Sequence, residues 1–162
     1  MKKLILIVLA VLATATTYAQ RRHLDFEFVE LKGDAINIAD TLATIIGGEY
    51  VSGDKNGELV EGKYKGCECQ ILVSKTPLSK ICYGLVVTAD FTEKAYTEIF
   101  GSCLAKYGSP DKELSVEGEK VWFVERGFVK LTHEELILID HEGNELLNAE
   151  EIYLGLKERT NE

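Results

Sequence analysis

Proline occurs only twice in the 162 residues, tryptophan and methionine once each, and histidine three times. Two prolines cannot furnish a polyproline linker or a Pro-rich recognition tract, and no low-complexity stretch divides the chain. The histidines form no H-x-x-x-H pair and the four cysteines no C-x-x-C pair. The spacing of a closed zinc site or a thioredoxin-like redox centre is therefore missing. No G-x-S-x-G elbow, H-E-x-x-H pair or phosphate-cradling glycine loop occurs either. Positive charge is also short, with 18 Lys and Arg against 27 Asp and Glu and a formal charge of −9. Such a chain repels phosphate, which argues against nucleic acid and anionic membrane surfaces as partners.

No apolar run reaches the roughly twenty residues needed to span a bilayer. The nearest approach, Leu4 to Ala13, follows Lys2 and Lys3 and leads into small and polar residues ending in Ala19. That order of charged, apolar and small residues predicts a secretory signal peptide over 1–19 and a mature chain from Gln20. Losing both lysines moves the formal charge from −9 to −11. With no cysteine near the cleavage point, a lipid anchor is not expected. The expected product is exported, periplasmic or secreted, and soluble. Residues 20–162 are enough for one domain with a real core.

What is present reads as alternating strands and two strong helices. "HLDFEFVEL" has the period-two pattern of a strand over about 23–30. "GDAINIADTLATIIGG" places Ala35, Ile38, Ala39, Leu42, Ile45 and Ile46 on one helical face, with Asp34 as N-cap and Gly47 as the stop. Up to four antiparallel strands follow near 49–52, 57–64, 66–74 and 79–88, punctuated by Gly53, Asn56, Gly57, Gly66 and Pro77. A second helix opens at Asp90 or Thr92 and closes at Gly108 and Pro110. "KVWFVE", "FVKLTH" and "LILID" read as a meander with short turns. A final amphipathic helix is predicted over 144–160. The fold class is α+β, an antiparallel sheet packed by helices. Its layout suggests two helix-plus-strands half-domains in tandem, 20–88 and 89–143.

The stretches "GKYKGCECQILV", "LAKYGSPDKE" and "LILIDHEGNELL", behind the signal peptide and the "HLDF" strand, resemble small secreted proteins of uncharacterised function from gut anaerobes. That group is similar in layout to the beta-lactamase inhibitor protein, two helix-plus-sheet units in tandem. The matching motifs are helix ends, turns and strand alternation, so the resemblance implies a fold but neither a function nor any functional residue.

Four residues are disulfide candidates: Cys67, Cys69, Cys82 and Cys103. In an oxidising compartment an even number favours pairing. Cys67 and Cys69 share a strand face with Ile71 and Val73, and Cys103 lies on the apolar side of the second helix, while alternation permits the other face for Cys82. Cys67 and Cys69 sit about 7 Å apart by strand geometry, at the limit for a bridge. The expected bond therefore joins one of them to Cys103, with Cys82 taking the other or staying free. The alternative is buried unpaired thiols.

Tyr50, Tyr64 and Trp122 are candidate contact residues. Val121 and Phe123 can fill the core face while Trp122 points outward, unless a covering layer buries that second face as well. His133 and His141, with Glu134, Glu135, Asp140 and Glu142, cluster in sequence near the last hairpin, where solvated acidic turns compete with a weak cation site. No cofactor or metal is expected. The leading expectation is a non-catalytic exported module that binds a protein. The alternatives are an envelope hydrolase or metal-dependent enzyme using carboxylates or His133 and His141, and a structural envelope component.

Overall fold

The computed structural model describes residues 24–160 apart from 112–114 and 116–117, and the side chains of 158–160 are not considered. The expected signal peptide at 1–19 and His23 lie outside the described residues. The described chain is α+β, with a two-stranded ribbon, a seven-stranded antiparallel sheet and three helices.

The segment expected as one strand at 23–30 is instead a tight hairpin, β1 (Asp25–Phe26) and β2 (Val29–Glu30). It turns through Glu27 and Phe28, whose φ angles are 47° and 70°. Two left-handed residues make the mirror-type two-residue turn that matches strand twist. Neither is Gly or Asn, so nothing in the residue types marked the turn. Phe28 ends up 94% exposed, while Leu24 and Phe26 enter the core.

Helix α1 (Ala35–Ile45) is capped as expected: the Asp34 carboxylate accepts from the backbone N–H groups of Ile36 and Asn37 at 3.0 and 3.1 Å. After Gly47 the chain runs through β3 (Glu49–Gly53), β4 (Gly57–Tyr64), β5 (Cys67–Lys75) and β6 (Cys82–Thr88) as a meander. The β4–β5 turn uses Lys65 and Gly66, both left-handed. Thr92 caps helix α2 (Glu93–Tyr107), accepting from Ala95 N–H. Gly108 ends it at φ 82°. A second meander follows, β7 (Lys120–Val124), β8 (Gly127–Leu131) and β9 (Glu135–Asp140), and then helix α3 (His141–Thr160).

The sheet order is β3-β4-β5-β6-β9-β8-β7, so the two meanders meet through their last strands, β6 and β9. Because facing residues of antiparallel strands share a side, the pairing can be followed across the sheet in rows. One row runs Val60, Ile71, Val87, Leu136, Leu131. The next runs Glu58, Val73, Leu85, Leu138, Val129, Trp122. Both lie under α1 and α2 in a single core with Leu42, Ile99 and Phe91.

This register corrects the expectation for Trp122. The side chain is 2% exposed, stands in line with Val129 and Leu138, and donates its indole N–H to the Gly108 carbonyl at 2.8 Å. It is Phe123 that faces outward, 59% exposed. Tyr64 is likewise buried, tilted against Phe26 at 4.9 Å, with its hydroxyl donating to Glu27 at 2.8 Å. Neither residue offers a contact surface.

Helix α3 leaves the end of the sheet. Gly143 sits against Tyr83, where a Cβ would lie 2.6 Å from the tyrosine Cβ. The Glu150 carboxylate accepts from Leu78 and Ser79 N–H and from the Ser79 hydroxyl. Burial raises the Glu150 pKa, but those donors outweigh it and hold the pKa below its ordinary value. No described helix is long and apolar enough to cross a membrane.

Candidate interaction face and the expected site residues

The face of the sheet turned away from α1 and α2 carries two further rows. The first is Leu59, Leu72, Val86, Ile137, Lys130 and Val121. The second is Gly57, Ser74, Gly84, Ile139, Phe128 and Phe123. Leu72 is 39% exposed, Phe123 more so, and Val86, Ile137, Ile139 and Phe128 are half-buried. Two close approaches lie within this face: the Phe123 and Phe128 rings are 6.2 Å apart, and a Cβ at Gly84 would lie 2.6 Å from Ile139 Cδ1. The glycine lets Ile139 lie flat across its neighbour strand.

Polar pairs frame the band. Gln70 donates to Glu61 at 2.7 Å, Lys63 pairs with Glu68 at 2.8 Å, and Lys130 with Glu119 at 3.0 Å. An apolar centre with a rim of paired charges is the usual plan of a protein-binding surface. The pattern of β6 and β9 contained this signal: Val86, Ile137 and Ile139 are apolar on the parity opposite the core, whereas on β5 Leu72 is the one apolar residue in a polar series with Glu68, Gln70 and Ser74.

Of the expected contact residues, only Tyr50 reaches the surface, and it also has an internal task. Its hydroxyl donates to Glu58 at 2.7 Å, and Glu58 pairs with Lys75. Both charges of that pair are buried on the helix side, Glu58 at 2% exposure. The hydrogen bond to Glu58 raises the Tyr50 pKa.

All four cysteines are buried and free, which corrects the expected disulfide. Cys67, Cys69 and Cys103 do point inward as the patterns implied, and Cys82 joins them in the core. Sharing a core is not enough, since a bridge needs Cβ atoms within about 4.5 Å in a narrow orientation. Burial pushes the Cys82 thiol up to about 12 and the Cys103 thiol up to about 11. At neutral pH both are protonated and poor nucleophiles.

His133 and His141 acquire separate aromatic neighbours. His133 stacks on Tyr96 with ring centres 4.1 Å apart, and His141 lies 6.4 Å from Phe123. Asp140 accepts from Gly143 N–H and faces Arg126. Among the described residues, no group of three His, Cys, Asp or Glu side chains is arranged to hold a metal ion.

Comparison with known proteins adds no relative: no family model, no curated protein and no solved structure matches this chain.

Proposed function

We propose that the protein is a non-catalytic exported module that binds another protein through the open face of its sheet, in the manner of an inhibitor or adaptor. The observation that carries this reading is the band of half-buried Val86, Ile137, Ile139 and Phe128 with exposed Leu72 and Phe123, on the sheet face that α1 and α2 do not cover. Soluble monomers rarely leave a contiguous apolar band of this extent without a use. Flat sheet faces suit large protein surfaces better than small substrates, which need concave sites.

Affinity capture from the envelope fraction of the source cells tests the proposal, using wild type beside Ile137→Glu and Leu72→Glu. The expected result is a partner retained by wild type and lost by both variants, each still folded by circular dichroism. A partner held equally by all three would move the binding surface elsewhere.

A further inference from the structure

The last helix carries an apolar surface of its own. Along α3 (His141–Thr160), Gly143, Leu147, Glu150 and Leu154 fall on one side and are buried or half-buried against the body of the protein. Gly143 packs on Tyr83 and the Glu150 carboxylate is held by the loop at Leu78 and Ser79. A second set, Leu146, Ala149, Tyr153 and Leu156, repeats at alternating steps of three and four residues, with Ile152 on its flank, and all five are exposed. The four large ones are 38–66% exposed. At about 100° per residue the centre of this stripe lies roughly 120° around the helix from the side that meets the body. A second helix can therefore approach it. The spacing is that of a coiled-coil seam.

The seam is complementary to itself in one orientation. Two copies of α3 laid antiparallel, with a two-fold axis at the height of Glu151, place Leu146 of each against Leu156 of the other. They also place Ala149 of each against Tyr153 of the other, so a small side chain faces a large one in both middle layers. Ile152 meets its own counterpart along the flank. A parallel pair would instead set tyrosine on tyrosine and leave a gap between alanines. Charge does not oppose the contact at its centre: Glu150 is turned into the body, and Glu151 lies on the far side of the helix from the seam.

The size of the contact sets its strength. At about 200 Å² for a whole large side chain, the four exposed ones offer roughly 400 Å² of apolar surface per copy. A pair with its polar flanks would bury about 1,000–1,200 Å² in all, the lower end for a specific interface. We infer that the protein forms a reversible dimer through antiparallel pairing of α3 with α3 of a second copy, with a Kd on the order of 10 μM. The seam is separate from the open sheet face, which stays free on each copy, and the two proposals stand or fall separately.

Sedimentation equilibrium of the purified protein from about 1 to 300 μM tests the inference. A monomer–dimer equilibrium is expected, weakened about tenfold or more by Leu146→Glu or Tyr153→Glu and unchanged in Leu72→Glu on the sheet face, each variant still folded by circular dichroism. The register has its own readout. Ala149→Tyr and Tyr153→Ala should each weaken the dimer, and the two together should restore it, because the exchange only moves the large side chain across the two-fold axis. Ile152→Cys should be joined to its counterpart by a short bismaleimide, whereas Glu151→Cys on the far side should not; the four native thiols are buried and stay out of the reaction. A monomer throughout the concentration range, a dimer untouched by Leu146→Glu and Tyr153→Glu, a dimer lost in Leu72→Glu, no recovery in the double exchange, or cross-linking at position 151 instead of 152 would each overturn the inference.

Discussion

Ile71 and Leu72 are chemical isomers on consecutive positions of β5, yet they occupy different solvents. Ile71 is fully buried between Val60 and Val87 beneath α1 and α2, whereas Leu72 stands between Leu59 and Val86 in contact with water. The sheet is thus apolar on both faces but covered on one. An antiparallel sheet with a free face usually alternates apolar and polar residues. Here the alternation fails in the middle rows and returns only at the margins, with Glu61, Lys63, Glu68 and Gln70. The helix side needs its apolar residues for stability, and the open side keeps them without that need, which is why function is sought there.

Substitutions can break or sharpen this contrast. The largest effect is expected on the helix side from Trp122→Ala, which removes the biggest fully buried side chain and orphans the Gly108 carbonyl. A loss of about 3–5 kcal/mol in urea unfolding is expected. Lys75→Met should cost about 3–5 kcal/mol as well, because it strands the buried Glu58 carboxylate; adding Glu58→Leu should recover much of that loss. The neighbouring pair gives the most direct comparison: Ile71→Ala is expected to lose about 2–5 kcal/mol and Leu72→Ala under about 1 kcal/mol. Equal losses would mean that the open face is a second core.

A smaller effect is expected with pH. Burial raises the thiol pKa values of Cys82 and Cys103 to about 12 and about 11, above their unfolded values near 9, so folding favours the protonated forms. That contribution is complete below pH 9 and is lost as pH rises through 11 and 12. The urea midpoint should hold level to about pH 9 and then fall. The smallest signal is a null mass shift: alkylation of the unfolded chain should label four thiols with or without reductant, since all four are free. Fewer labelled thiols without reductant would restore the strand-to-helix disulfide.

Much of the fold was legible because its signals are local. The Asp34 and Thr92 caps, the Gly47 and Gly108 stops and the alternation of β4 through β9 all act over a few residues, and α1, α2 and the meanders follow from them. Signals that depend on register or distance were not legible. The face of β7 was misread because Val121-Trp122-Phe123 is apolar at every position, leaving the pairing with β8 to decide. The hairpin at Glu27 and Phe28 was missed because strain, rather than residue type, makes the turn. The cysteines were correctly aimed but wrongly joined, since a pattern gives direction and a bond needs ångströms. The open face was foreseen only as a general possibility, and no single residue announced it.

The central pairing of β6 with β9 also bears on how the chain reaches this state. β6 completes the first meander, but its second edge stays unsatisfied until β9 arrives, roughly fifty residues later in the chain. During that interval Leu85, Val86 and Val87 form a hydrophobic edge with free backbone donors and acceptors, a template for pairing with other chains. The second half of the chain thereby acts as an internal guardian of the first. A product truncated before β9 would aggregate rather than persist as half a molecule.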